Sequence, residues 1–526
     1  QMCIRDRFCD AYAEGVNQFI SDFSWRWGIE YFVLLARPEP WTCSDSMLVL
    51  LEMADYLTSS ATVDAKQSHW RRKLSQSWKE WLFPLDHPWN KPMFGTPGTI
   101  NPPPPETYLP KRPISDQEFA DSRNQFVEGV ALGSNSWAYS GTRGAFLAND
   151  PHLAQSVPGV WFASRLRVSR SDWVVGVSIP GIPAVVIGMN PALVWSFTNT
   201  GEDVDDFLRE KISDDGESYL ARSDVSGEEW RQLERKEFSI KVKGESNPRK
   251  HEALFTHRGP LAKRAYLGED LFSRQWLPLK EGKLRLPTVA FLKARSVDDL
   301  QAAIDQMTVP AQNVLFMTYA GEIGYRVSGS GIIRSVSGLE IQDAVVGEWQ
   351  GYEPSNSRRR MLLSENHEKP QFLATANERI WVDRFGHQWW AEDRKERISS
   401  FLQSSSIYER DDMRRLQLDT HSRFRRELVR WVVRKARIES DELKNLALKW
   451  NEWDGSSRSE PILFSQAQMI ESDLVNLLVG RVRRAFLKVD EQQAPYVSWL
   501  RRAWIVHAIE ANNSDGFAPF LSLIHI

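Results

Sequence analysis

The chain has 526 residues, 42% of them apolar and 26% charged, and its 66 lysines and arginines against 69 aspartates and glutamates leave a net charge of −3. Such a length and apolar content exclude a disordered chain and support a substantial core spread over several structural units. The near-neutral balance excludes an overall field that would hold a polyanion or an anionic membrane, so nucleic acid is not an expected partner.

Residues 8–35 carry a helical period, with Phe8, Ala11, Tyr12, Val16, Phe19 and Ile20 three or four apart. Ser44-Asp45-Ser46 is a capping signal for a helix running through Leu48–Leu57. The cysteines, Cys3, Cys9 and Cys43, make neither a zinc spacing nor a disulfide framework and leave the compartment open. No apolar run reaches the ~18 residues of a membrane-spanning helix, and no basic-apolar-small leader pattern opens the chain. The chain starts inside a helical pattern at Gln1 and closes on Phe520–Ile526 without a stop signal, which predicts a fragment lacking both true ends. Twenty-two tryptophans are read as packing residues rather than as sugar or acyl subsites.

Between 94 and 133 the texture changes. Gly95-Thr96-Pro97-Gly98 and four successive prolines at 102–105 suit neither a helix nor a central strand, which predicts a spacer. Beyond Ser134 the period becomes two. Ser136–Ser140, Gly159–Val168, Trp173–Ser178, Ala184–Ile187 and Leu193–Thr198 read as strands, several apolar on both faces as in a sheet covered on both sides. Further strands and turns run to about residue 345, and after Asn377 apolar stripes predict helices over Arg397–Leu402, Asp411–Leu418, Arg423–Ala436 and Ser465–Phe486. The basic runs at Arg423–Arg426 and Arg481–Arg484 are interleaved with acids and read as solvated helix faces.

Gly133-Ser134-Asn135-Ser136-Trp137, followed by Ala148-Asn149-Asp150-Pro151-His152, resembles the start of the mature β chain in the penicillin acylase family of N-terminal nucleophile hydrolases. Tyr12–Phe19, Ala36–Thr42, Pro180–Pro183, Gly188-Met189-Asn190, Thr256–Pro260 and Gly321–Arg326 resemble further family segments in the same order. The resemblance implies an α+β fold, the four-layer αββα sandwich with additional helical segments. It also implies a division into a partial α chain (1–93), a spacer propeptide (94–133) and a β chain (134–526) truncated at its C-terminus.

The chemistry follows from the position of Ser134. A serine at the start of a chain can use its own α-amine, with a pKa of about 8, as the base at neutral pH. Such a serine must first be released, and Gly133 offers no side chain to obstruct attack of the Ser134 hydroxyl on its carbonyl. The resemblance carries the oxyanion donors onto the backbone N–H of Asn199, after Trp195-Ser196-Phe197-Thr198, and onto the side chain of Asn377, in Ala374–Arg379. It gives His152 the role of orienting the serine and its amine, and Arg394 that of supporting the oxyanion region. Glu202, Val204 and Asp205 would hold a structural calcium, with Asp64 the nearest further acid. Met53, Leu57, Leu153 and Ile187 would line an apolar acyl pocket. No organic cofactor is expected. Gly-x-Ser-x-Gly, His-Glu-x-x-His and a Gly-rich phosphate loop are absent.

The activity implied is that of a zymogen that cuts itself and then hydrolyses the amide of a small acylated substrate of penicillin type. N-acyl homoserine lactone deacylation and a non-catalytic binding role on the same fold are the alternatives. The implied partners are the α and β chains of one precursor, and the implied location is the periplasm or another exported compartment.

Overall fold

The computed structural model describes residues 2–23, 26–58, 60–84, 88–96, 98–99, 133–153, 156–167, 169–223, 225, 227–263, 269–280, 284–285, 287–336, 338–353, 360–363, 371–380, 393–436, 438–482 and 503–510. Most of the spacer, residues 100–132, therefore lies outside the described residues.

Strands β1 (Gly133–Gly141) and β2 (Gly144–His152) form a hairpin, and Gln371–Thr375 pairs with the free edge of β1 to give a three-stranded sheet. A seven-stranded sheet faces it. Its order runs from Arg360–Leu363 through Ile323–Val327, Gln312–Thr318, β6 (Leu193–Asn199), β5 (Ile187–Met189) and β4 (Trp173–Ser178) to β3 (Phe162–Arg167). Side chains along each strand alternate between faces, and the two faces bury different things. Trp137 and Tyr139 of β1 pack outward on Ile398, Leu402, Tyr408, Met413 and Leu416 of the helices Arg394–Gln403 and Arg410–Gln417 and the loop joining them. Leu193 and Trp195 of β6 and Val314 and Phe316 of its neighbour pack outward on Phe291, Leu300, Ala303 and Ile304 of the helices Thr288–Lys293 and Val297–Ile304. The layers are therefore helix, sheet, sheet, helix, as expected. Between the sheets lie Ala138, Leu315, Met317, Ile323, Tyr325 and Val327.

A six-stranded sheet including β7 (Asp205–Arg209) stands beside this sandwich, and helices from the first segment lean on both. Helix α1 (Met2–Asp22) ends earlier than its apolar period suggested, and a short α2 (Ile29–Val33) follows. Helix α3 (Cys43–Tyr56) is capped by Thr42 together with Asp45, one turn before the predicted start. Cys9 of α1 and Cys43 of α3 form a disulfide. This corrects the sequence reading, in which spacing alone gave no pairing; helix packing brings the two Cα atoms to 5.4 Å. Helix α4 (Ser60–Arg71) packs Ala61 and Ala65 against Phe207 of β7 and Phe272.

The predicted C-terminal helices are present at Arg394–Gln403, Arg410–Gln417, Arg423–Lys435 and Pro461–Val482. A further helix, Asp441–Glu452, was not foreseen, although Ser440 caps it and Leu443, Leu446, Ala447 and Trp450 carry the period. Among the described residues, no helix is long and apolar enough to cross a membrane.

Candidate active site

Ser134 is the second residue of β1, paired with Pro151, and it is 7% exposed. Its N–H donates to Asn377 Oδ1 at 2.5 Å, across 243 residues of chain. Asn377 follows the strand Gln371–Thr375 and holds φ +67, a left-handed turn that asparagine tolerates better than most side chains. This turn aims the amide of Asn377 back at the strand. Its Nδ2 donates to the carbonyl oxygen of Asn199 at 2.8 Å, which joins the Ser134 corner to the end of β6. One hydrogen on Nδ2 remains for a further acceptor.

Arg394, the first residue of its helix, closes the same corner. Its Nη1 donates to Ser134 O at 2.9 Å and to Asn135 Oδ1 at 2.6 Å, while Nη2 donates to Asn377 Oδ1 at 3.0 Å. A planar fork reaching three acceptors fixes the Asn377 amide in one orientation. A Cβ on Gly133 would come within 3.0 Å of Arg394 Nη2 and 3.2 Å of Asn377 Oδ1. Crowding, rather than an unusual φ, accounts for glycine there.

His152 sits differently from the sequence reading. Its partner across the hairpin is Gly133, so its side chain shares the face of Asn135 and Asp150, opposite to that of Ser134. The ring Nε2 lies 2.9 Å from Asp150 Oδ2 and 3.4 Å from Asn135 Nδ2. It holds Asn135, which Arg394 also grips, instead of meeting the Ser134 hydroxyl. The correction comes from strand register, which motif spacing does not give.

Asn199 ends β6. The Phe197 N–H and C=O are both taken by the side chain of Asn149. Alternation along the strand aims the Asn199 N–H at the same edge, facing the Asn377 turn. The Asn199 side chain donates to Leu57 O at 2.8 Å, which links the C-terminal end of α3 to the end of β6. Met53 packs with Leu50, Ile179, Ile182 and Val186. Leu57, Leu153 and Ile187 are half-buried, at the end of α3, after β2 and on β5.

The acidic segment after Asn199 is also arranged differently. Asp64 of α4, Asp203 and Asp206 bring carboxylate oxygens within 4.8 Å of one another, all three buried. Glu202 lies outside this group. Asp205 is committed elsewhere, accepting from the Ala61 N–H at 2.9 Å and from Arg274 Nη2 at 2.8 Å. Adjacent residues of a strand face opposite sides, which turns Asp205 toward Ala61 and Arg274 while Asp206 stands with Asp64 and Asp203. Arg334 was not anticipated: its Nη2 lies 2.9 Å from Asp203 Oδ1 and its Nε 2.8 Å from Asp206 Oδ2. Burial, then the charges of Asp203 and Asp206, raise the Asp64 pKa well above the ordinary aspartate range. Burial likewise pushes Asp206 up to about 6, against the pull of Arg334.

The profile of a family described as Penicillin amidase matches residues 4–516. The acyl-homoserine lactone acylase QuiP of Pseudomonas aeruginosa is 26% identical over 446 residues, covering 80% of this chain and 51% of that protein. The penicillin acylase 2 proenzyme of a Pseudomonas species is 23% identical over 472 residues, covering 84% of this chain and 57% of that protein. The chain thus spans about half the length of the curated relatives it matches. Among solved structures, the thermostable penicillin G acylase from Alcaligenes faecalis superposes with a TM-score of 0.52 at 19% identity, over 61% of this chain and 59% of that one.

Proposed function

Because this chain belongs to the penicillin amidase family, we propose that it is a self-processing amidohydrolase that cleaves the acyl amide bond of a small N-acylated substrate through Ser134. The observation that carries this reading is the convergence of Ser134, Asn377, Arg394 and the end of β6 from distant parts of the chain onto one peptide unit.

In the precursor, the Ser134 hydroxyl attacks the Gly133 carbonyl carbon. The C–N bond breaks, the hydroxyl proton passes to the departing nitrogen, and an ester forms at Ser134 Oγ. Water hydrolyses that ester, which leaves a carboxylate on Gly133 and a free α-amine on Ser134. Asn377 Oδ1, already 2.5 Å from this nitrogen, holds it throughout. In the second reaction the amine takes the hydroxyl proton while Oγ attacks the substrate carbonyl. The Asn199 N–H and Asn377 Nδ2 receive the developing oxyanion, each donor contributing ~3–4 kcal/mol. The proton then passes to the leaving amine, and water releases the acid from the acyl-enzyme.

Residues 1–93 would become the α chain, 94–133 the excised spacer and 134–526 the β chain. A hydrogen bond from Met93 N to Arg379 O at 2.7 Å supports this division, because it docks the end of the first segment beside the Asn377 turn. The acyl group would lie against Met53, Leu57, Leu153 and Ile187, where apolar walls favour an aliphatic or aromatic acid. N-acyl homoserine lactones are the second reading, favoured by the names of the relatives at 25–26% identity.

Asp64, Asp203 and Asp206 fit a structural calcium. They are hard oxygen donors, three buried carboxylates whose oxygens lie within 4.8 Å of one another, which suits a divalent cation. Its role would be to tie α4 to the start of β7. The Cys9–Cys43 disulfide supports export, since such bonds persist in oxidising compartments.

The test is kinetic. The full-length gene product is incubated with a series of N-acyl-4-nitroanilides and with N-acyl homoserine lactones, beside Ser134→Ala. Acid release by the wild type alone supports the reading. A folded wild type inert on every member favours the non-catalytic binding role.

A further inference from the structure

We propose that Asn149 is a positioning residue, whose side chain sets the nucleophile strand against the oxyanion strand and leaves the Asn199 N–H as the open donor at that edge. The inference rests on the reading of Ser134 as the nucleophile.

Asn149 lies on β2 opposite Ser136, so its side chain enters the space between the two sheets. Its Oδ1 accepts from the Phe197 N–H at 3.1 Å, and its Nδ2 donates to Phe197 O at 3.1 Å and to Asn135 O at 2.8 Å. Toward Phe197 the amide thus supplies one acceptor and one donor, which is what a neighbouring strand would supply. Such a substitute is needed there. The strand Gln312–Thr318 flanks β6 along its whole length on one edge, whereas on the other edge the pairing with β5 reaches no further than Trp195. Among the described residues, Phe197 and Asn199 therefore present backbone groups to an edge with no strand paired to it. Asn149 covers the first, and Asn377 takes the carbonyl of the second.

The same amide reaches Asn135 O, one residue from the nucleophile. A single planar group therefore spans from the residue after Ser134 to the residue two before the Asn199 N–H. Both ends of the reacting geometry are referred to one rigid body. Ser136 offers a contrast within the same seam. Its Oγ meets Ser196 Oγ at 2.7 Å, joining the same two sheets without holding the peptide groups of Asn135 or Phe197.

The test uses the full-length gene product with Asn149→Ala, Asn149→Asp and Ser136→Ala. The measurements are the rate of cleavage at Gly133–Ser134 by intact mass, and kcat and KM on an N-acyl-4-nitroanilide. The thermal midpoint reports folding. Asn149→Ala is expected to slow cleavage and lower kcat about 100-fold with KM within about threefold, the signature of reacting groups displaced by ~1 Å. Asn149→Asp keeps the acceptor for Phe197 N–H but sets a carboxylate against two carbonyl oxygens, so it should do no better than alanine. Being isosteric, it carries the test if the alanine variant fails to fold. Ser136→Ala should stay within about threefold of wild type. A folded Asn149 variant with wild-type kcat and cleavage overturns the proposal, as does a Ser136→Ala loss equal to that of Asn149→Ala. A wild type that folds yet never cuts defeats the nucleophile reading instead, and the proposal falls with it.

Discussion

The space between the two central sheets has two unlike halves. One is apolar, where Ala138, Leu315, Met317, Ile323, Tyr325 and Val327 interdigitate with Leu147, Val194 and Leu373. The other is polar and lies at the nucleophile end. There Thr198 Oγ1 meets Thr375 Oγ1 at 3.0 Å, Asn313 Nδ2 donates to Thr198 Oγ1 at 3.1 Å, and Asn149 and Asn377 bridge the sheets. The apolar half holds the layers together by burial, which is strong and undirected. The polar half contributes less net stability per bond, yet each of its bonds fixes an atom in a direction. Separating the two gives a scaffold held by burial and a corner whose donors hold their aim.

Several changes would break this division, beginning with the most damaging. Ser134→Ala should abolish both cleavage and turnover, since the remaining groups bind and orient but do not attack; a chain that still divides at Gly133–Ser134 would contradict the site. Asn377→Ala should lower kcat by about 10²–10³, the cost of one oxyanion donor, with cleavage slowed as well. In the apolar half the balance should reverse. Leu315→Ala, at 0% exposure, is expected to cost about 2–5 kcal/mol in denaturant unfolding. The fraction that remains folded should keep nearly full kcat. Equal losses of kcat from Leu315→Ala and Asn377→Ala would erase the comparison.

A smaller effect concerns the acidic centre and has a definite sign. Asp206, raised to about 6 by burial, binds its proton in the folded chain at pH values where the unfolded chain has released it. With the cation withheld, the contribution of Asp206 to stability is therefore full below the ordinary aspartate range and is lost as pH rises through about 6. Calcium should raise the thermal midpoint more at pH 7.5 than at pH 5, and Asp206→Asn should flatten both dependences. A midpoint unmoved by chelator at either pH would remove calcium from the account.

The layered core was legible because alternation announces it locally, and a dense motif marks the strand that carries Ser134. Asn377 and Arg394 were legible through the family resemblance, and the structure brings both onto Ser134. What escaped depends on which way a side chain faces. His152 stands one register position from where it would touch the serine side chain, and spacing alone does not reveal that. The five-residue run from Glu202 to Asp206 offers four acids, but only the strand geometry tells Asp203 and Asp206 from Asp205. Arg334 and the Cys9–Cys43 bridge required tertiary packing, because nothing in the spacing of either marks its partner. Helix Asp441–Glu452, by contrast, had a readable period and cap.

The most direct test is the intact mass and N-terminal sequence of the full-length gene product, taken beside Ser134→Ala. The account predicts a wild-type fragment beginning Ser134-Asn135-Ser136 and an uncut mutant. A folded wild type that stays whole, or a mutant that divides at the same bond, would contradict it.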